Sequence, residues 1–73
     1  MGDGMKLQTL VWKEGRTYVI KEVITGVTTQ GKTIEDAMRN IKEAVTLYLE
    51  EMPEIKAELK HIDTIGAVSV EIA

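Results

Sequence analysis

The clearest pattern in the chain is a stripe of apolar side chains at helical spacing between residues 34 and 52. Apolar positions recur three and four residues apart there, and charged side chains take most of the other positions. Thr33 precedes the stripe as an N-cap, and Asp36 follows three residues later as the acidic half of a capping box. The pattern predicts one long helix that ends just before Pro53, since proline cannot continue a helix. Residues 54–61 then form either a short second helix or an irregular connector.

Three runs rich in β-branched residues precede this helix, and one run follows it. The first two, Lys6–Lys13 and Thr17–Ile24, flank a Glu14-Gly15 turn and predict a hairpin. Val27–Gln30 predicts a short third strand. After the helix, apolar and polar residues alternate, which predicts a half-buried fourth strand whose apolar side is formed by Val68, Val70 and Ile72.

The predicted order is therefore β-β-β-α-β, which defines an α+β fold. We expect a three-stranded antiparallel meander with one long helix packed on one face of the sheet. The crossover through the helix should be right-handed, and it brings the fourth strand parallel to a neighbour, most simply the first strand. Residues 6–73 form a single α/β domain, and residues 1–5 are expected to be a disordered or non-native N-terminus, in which Met5 is an alternative start to Met1.

One face of this sheet lacks a predicted cover. Each of the first two strands carries apolar residues on both sides, whereas one helix covers only one face. One face is therefore expected to leave an apolar patch around Trp12, and Leu10, Trp12 and Val19 are the candidate contact residues, on a sheet face or at an edge strand. We predict that these three residues contact a partner or a second copy of the chain, because apolar surface patches mark interaction sites. The alternative is that residues 54–61 fold over this face.

Composition supports a domain that needs a partner. The chain has 73 residues and no cysteine, and it carries eight Ile and seven Val against five Leu and no Phe. A domain of this size hides only roughly 60% of its unfolded-chain surface, so it benefits from burial against another chain. We therefore expect a homo-oligomer, a dimer or a tetramer. The net charge of −3 weighs against unaided binding to nucleic acid, and no apolar run reaches the ~20 residues of a membrane span. We expect a cytoplasmic protein without membrane contact.

The sequence of one stretch matches the motif of a phosphate-binding loop. Gly26–Thr33 reads G-x-x-x-x-G-K-T, in which Lys32 would reach phosphates and Thr33 would hold Mg²⁺. We reject this interpretation because 73 residues cannot supply the multi-stranded parallel sheet of such enzymes. The middle residues are also β-prone and poor in glycine. The better interpretation is a strand, a turn at Gly31 and a helix cap at Thr33.

Other candidate chemistry is weak. Ser69, His61 and Asp63 are the only set that could form a triad, and nothing in the sequence sets their geometry. The glutamates at 50, 51 and 54 are more simply a polar helix end than a metal site. Lys13 and Arg16 near Trp12 suggest a solvated turn rather than a nucleic-acid contact. We expect no catalytic residue, no metal and no cofactor.

A longer run links the third strand to the helix in a recognisable order. Ten residues of it stand at matching places in one family pattern: Gln30, Gly31, Thr33, Glu35, Ala37, Asn40, Glu43, Ala44, Leu47 and Leu49. The run over 26–51 resembles that of the HicB-like antitoxin family, and the opening hairpin fits the same family. The chain departs from the pattern over 22–27, which has neither the Pro nor the Cys that the family usually carries there.

The resemblance implies a partial ribonuclease H-like fold. It also implies an antitoxin that binds and neutralises a small HicA-type RNA-cleaving toxin, often as a dimer or larger assembly. Many family members carry a C-terminal DNA-binding domain, and because this sequence stops at Ala73 we expect no direct DNA binding. Lys6–Lys13 lacks the metal-binding carboxylate that an active ribonuclease H-like site places on its first strand, so we expect no enzyme. The alternative is a stand-alone oligomeric domain with weak nucleic-acid or nucleotide binding.

Overall fold

The computed structural model describes residues 6–63 and 65–72 of the chain. Its element order is β-β-β-α-α, with the bounds β1 Thr9–Glu14, β2 Thr17–Glu22, β3 Thr28–Gly31, α1 Ile34–Glu51 and α2 Pro53–Leu59. The predicted disordered leader, residues 1–5, lies outside the described residues. The α+β class and the order of the first four elements confirm the sequence prediction.

The three strands form an antiparallel meander in the order β1-β2-β3, as predicted. The hairpin between β1 and β2 turns through two residues, Gly15 and Arg16, since Glu14 pairs with Thr17. Gly15 has a φ of 62°, which a residue without a Cβ adopts at little cost. Only the first turn residue has a positive φ, as a type II′ hairpin turn requires.

The connection from β2 to β3 is organised by a buried carboxylate. Glu22 is fully buried, and its Oε1 accepts hydrogen bonds from the backbone N–H groups of Ile24 at 3.1 Å and Thr25 at 2.6 Å. Its carbonyl oxygen accepts from the Gly26 N–H at 2.9 Å. These bonds turn the chain sharply, which explains why β2 ends at Glu22 and not at the predicted Ile24.

Helix α1 begins and ends where the sequence predicts. The Thr33 side chain accepts a hydrogen bond from the Asp36 N–H at 3.0 Å, which confirms the N-cap. At the other end, Pro53 opens α2 at its first position, where a proline costs no helical hydrogen bond. Of the two possibilities for residues 54–61, the short helix is the one that forms, and it packs against α1.

The core lies between α1 and one face of the sheet. Ile20 at the centre of β2 meets three buried residues of the helical stripe, Ala37, Ile41 and Val45. These four side chains are at most 3% exposed. Four partly buried residues surround them: Leu7, Tyr18, Val27 and Leu49. The inward positions of the predicted stripe are thus confirmed over its middle two turns, while Met38 remains exposed.

The C-terminal segment, defined here as residues 65–72, differs from its prediction. Its residues form neither a helix nor a strand, so the sheet has three strands in the described part of the chain. Val68, Val70 and Ile72 are 85%, 78% and 86% exposed. An alternating segment gains little from an extended conformation without a neighbouring strand, and in this structure none lies beside it.

Candidate interaction surfaces

Several residues of the family-like run hold β3 against α1. The Asn40 side-chain amide donates to the Gln30 carbonyl at 2.8 Å, and the Thr29 hydroxyl donates to the Ala37 carbonyl at 3.3 Å. Together with the Thr33 cap, these bonds fix the helix to the strand at its first two turns. The roles of these side chains are therefore structural.

Gly31 has a role at this junction that the sequence did not reveal. A Cβ added there would lie 2.6 Å from the Ala37 nitrogen and 2.7 Å from the Asp36 Cβ. Such distances are far below van der Waals contact, so the strand end packs directly on the first helical turn only because position 31 has no side chain. The predicted turn glycine is in fact the last residue of β3.

The stretch that matches the phosphate-binding motif, Gly26–Thr33, does not have the conformation of a phosphate-binding loop. Thr28–Gly31 is a paired strand, and the Val27 carbonyl accepts a hydrogen bond from the Glu22 N–H at 2.8 Å. The Thr33 hydroxyl caps α1, and Lys32 is exposed. The backbone is thus extended along the sheet and does not curl around a space for an anion.

The residues predicted to contact a partner share one face of the sheet. Trp12 pairs with Val19 across the hairpin, and Leu10 pairs with Lys21, so all lie opposite the side on which Ile20 meets α1. Leu10 is 43% and Trp12 38% exposed. Val19 is buried, because it lies on the middle strand between Trp12 and Gln30. We call Leu10, Trp12, Val19 and the exposed Val23 the outer patch.

No described helix covers the outer patch. Helix α2 packs on α1 at the other side of the sheet, so the alternative in which residues 54–61 fold over this face is wrong. The indole N–H of Trp12 donates to the Glu14 carboxylate at 2.7 Å. Its one polar group is therefore satisfied within β1, and the apolar ring is left available to another surface.

A second apolar surface lies on the helix side, beside the open edge of β1. It is a groove of about 730 Å³ between the sheet and α1, and it extends to the start of α2. Its apolar lining includes Leu7, Ile20, Met38, Ile41 and Leu49. Sequence reasoning missed this groove because the predicted fourth strand would have filled it. We call it the helix-side groove.

The other sequence candidates are not assembled into sites. No hydrogen bond joins Ser69, His61 and Asp63, all of which are exposed. Lys13 lies over the Tyr18 ring at 5.5 Å, on the sheet face opposite Trp12, so a joint nucleic-acid contact with the indole is not formed.

Within residues 6–63 and 65–72, no three His, Cys, Asp or Glu side chains are grouped to bind a metal. None of the helices described is both long and apolar enough to cross a membrane.

The fold and its two surfaces define a small α+β domain whose sheet is covered by a helix on one face and open on the other. Residues 2–68 match a family described as a family of unknown function, DUF7387, and the chain belongs to this family. The chain is also similar to a protein of Archaeoglobus fulgidus named "UPF0150 protein". The two are 31% identical over 70 residues, which cover 93% of this chain and 96% of the relative. No solved structure matches the chain.

Proposed function

We propose that the protein is a HicB-like interaction module that binds and neutralises a small HicA-type RNA-cleaving toxin in the cytoplasm. The observation that carries the proposal is the open outer patch, which no described helix covers. Similarity to the UPF0150 protein supports it, since UPF0150 is a HicB-like family. The module acts by covering the toxin, and no catalytic group of its own takes part.

The outer patch supplies the binding surface in this proposal. Trp12 at its centre has the properties of an interface anchor, because a large aromatic ring with a satisfied polar group buries much area at little entropic cost. The chain carries a net charge of −3, whereas an RNA-cleaving toxin is expected to be basic. Opposite net charges accelerate the encounter of two such proteins. Val19 is buried beside Trp12 on the neighbouring strand, so in this proposal it supports the Trp12 ring and does not itself contact the toxin.

We further propose that the C-terminal segment becomes a fourth strand beside β1 and completes a partial ribonuclease H-like sheet. The end of α1 lies near the start of β1, since Leu49 and Pro53 line the same groove as Leu7 and Thr9. A strand that follows α1 can therefore run parallel to β1. Its alternating side, Val68, Val70 and Ile72, would then fill the helix-side groove.

The test is a binding titration with a catalytically inactive RNA-cleaving toxin of the HicA type. We expect a complex with the native chain and inhibition of RNA cleavage by the active toxin. Replacing Trp12 with Ala should weaken binding by about 30-fold or more, as for other buried aromatic anchors. The matched control is Leu47→Asp, which alters an exposed apolar residue on α1 and should leave the affinity unchanged.

Two results would count against the proposal. A native chain that binds no toxin from its own genome would remove the toxin-binding function. Equal losses from Trp12→Ala and Leu47→Asp would remove the outer patch as the binding surface. A parallel titration with single-stranded RNA and with Mg-ATP tests the alternative functions, and saturable binding of either would favour them.

A further inference from the structure

Within residues 6–63 and 65–72, strand β1 pairs with another strand on one edge only. The Gln8 carbonyl accepts from the Val23 N–H at 2.8 Å, so residues of even number in β1 direct their backbone groups towards β2. The N–H and C=O groups of Thr9, Val11 and Lys13 therefore point towards the open edge. An added strand could form backbone hydrogen bonds with these groups, as in other cases of strand addition to a sheet edge.

The helix-side groove lies directly beneath this edge. Leu7 and Thr9 form its sheet side, and Met38 and Leu49 form its helix side. A strand paired with β1 would place every second side chain into this apolar space and the others on the outer face. The surface thus fits a short extended segment in which apolar and small or polar residues alternate.

The C-terminal segment has this pattern. Three apolar residues at intervals of two, Val68, Val70 and Ile72, are separated by Ser69 and Glu71. The four large apolar side chains of residues 65–72 are 78% to 101% exposed, more than any other described apolar residue. The single chain therefore presents the segment and the groove separately, each without the contact that the other provides.

We propose that the C-terminal segment of one copy pairs with β1 and fills the helix-side groove of a second copy, and that the exchange is reciprocal. This inference rests on the fourth strand proposed above and names where that strand comes from. It assigns self-association to the edge of β1, which leaves the outer patch free for a different partner.

Three observations favour a second copy over the same chain. The core residues Ile20, Ala37, Ile41 and Val45 are at most 3% exposed although the segment does not cover them, so the fold of each body does not require its own segment. Leu59 is buried, which anchors α2, and the described residues from Ile62 to Gly66 carry no helix or strand and can direct the segment outwards. Reciprocal exchange also buries two segments in two grooves, so the buried surface area is twice that of a one-way contact. A stable interface typically buries ~1,600 Å² in total, and the doubled area is closer to this value.

The first experiment is sedimentation equilibrium of the full chain from nanomolar to high micromolar concentration. We expect a dimer, and we expect Val70→Asp to raise its dissociation constant by about 100-fold or more, since a charge would be buried in both grooves. The matched control is Ser69→Asp, one residue away and on the other side of the strand, which should leave the dimer intact. Met38→Asp alters the groove from the α1 side and should also give monomers.

Mixing the two defective variants distinguishes exchange between copies from docking within one chain. The Val70→Asp chain keeps an intact groove, and the Met38→Asp chain keeps an intact segment. Exchange predicts that an equimolar mixture at high micromolar concentration forms a 1:1 heterodimer through one intact contact, more weakly than the native dimer, whereas each variant alone stays monomeric at the same concentration. A dimer that survives Val70→Asp, or a mixture that shows no association, would overturn the proposal.

Residue-resolved hydrogen exchange separates failure of this inference from failure of the fourth strand. The Val11 and Lys13 amides should become protected as concentration rises, whereas the Leu10 and Trp12 amides are already bonded to β2. Protection of Val11 at every concentration in a monomer would overturn exchange between copies and keep the fourth strand. No protection of Val11 under any condition would overturn both. Toxin binding by the outer patch is measured independently of either result.

Discussion

The β3–α1 junction and the β1 edge present opposite situations within one small domain. At the junction, the side chains of Asn40, Thr29 and Thr33 each have a hydrogen-bond partner, and Gly31 leaves no space to fill. At the β1 edge, a row of backbone groups, an apolar groove and an alternating segment have no partner among the described residues. The difference teaches that Gly31, Thr33 and Asn40, three residues of the family-like run, hold the scaffold together, whereas the open surfaces lie elsewhere.

The outer patch resembles the β1 edge in this respect. Its exposed residues, Leu10, Trp12 and Val23, are apolar but make no contact with a described helix. Substitutions at the junction should therefore reduce the stability of the fold, and substitutions at the two open surfaces should reduce association instead. The following predictions test this division, beginning with the largest expected loss of stability.

Gly31→Ala should be the most destabilising of these substitutions. The new Cβ would lie 2.6 Å from the Ala37 backbone nitrogen, so the strand or the helix must shift. We expect a loss of about 3 kcal/mol in the free energy of unfolding, at the upper end of overpacking effects. Urea denaturation measures it, and Gly66→Ala, which meets no atom within 4 Å, is the control. Equal stabilities of the two variants would contradict the close-packed junction.

Glu22→Ala should cost about 2 kcal/mol, because two backbone N–H groups in the β2–β3 connection would lose their acceptor. Glu22→Gln keeps a side-chain oxygen in place and should lose less than half as much. Glu43→Ala on the exposed face of α1 serves as a baseline near zero. If Glu22→Ala were as stable as Glu43→Ala, the buried carboxylate would not organise this connection.

Thr33→Ala removes the N-cap of α1 and should cost about 1 kcal/mol. Thr33→Ser retains the hydroxyl and should be close to the native chain in thermal denaturation. A loss from Ser as large as that from Ala would mean that the threonine methyl group, and not the cap, is responsible.

Val70→Asp should have the smallest effect on the fold itself. Its side chain is exposed in the single chain, so at concentrations below the dimer dissociation constant we expect a change within about 0.5 kcal/mol. The same substitution should abolish the dimer at micromolar concentration. A large loss of stability in the dilute monomer would show that the segment already packs on its own chain.

The sequence predicted the locally determined parts of this fold well. The N-cap at Thr33, the apolar stripe and the stop at Pro53 act through residues a few positions apart, and all three are confirmed. The hairpin follows from the glycine turn in the same way. The apolar patch expected around Trp12 also lies on a sheet face that no described helix covers.

Features that depend on distant contacts were missed or only partly predicted. The tight approach at Gly31 and the burial of Glu22 arise from how elements meet, which no local pattern shows. Alternation over 68–72 predicted a strand, whereas residues 65–72 form none here, because no other strand lies beside them in the described part of the chain. Alternation likewise placed Val19 in the interface, whereas its burial between Trp12 and Gln30 makes it a support.

Trp12 provides the most direct test of the proposed function, because it is the only tryptophan in the chain. Its fluorescence can be followed while an inactive, tryptophan-free variant of a HicA-type toxin is added. We predict a shift of the emission to shorter wavelength and protection from acrylamide quenching, both saturating at one toxin per chain. A complex that forms with no change in Trp12 emission, or no complex at all, would contradict the account.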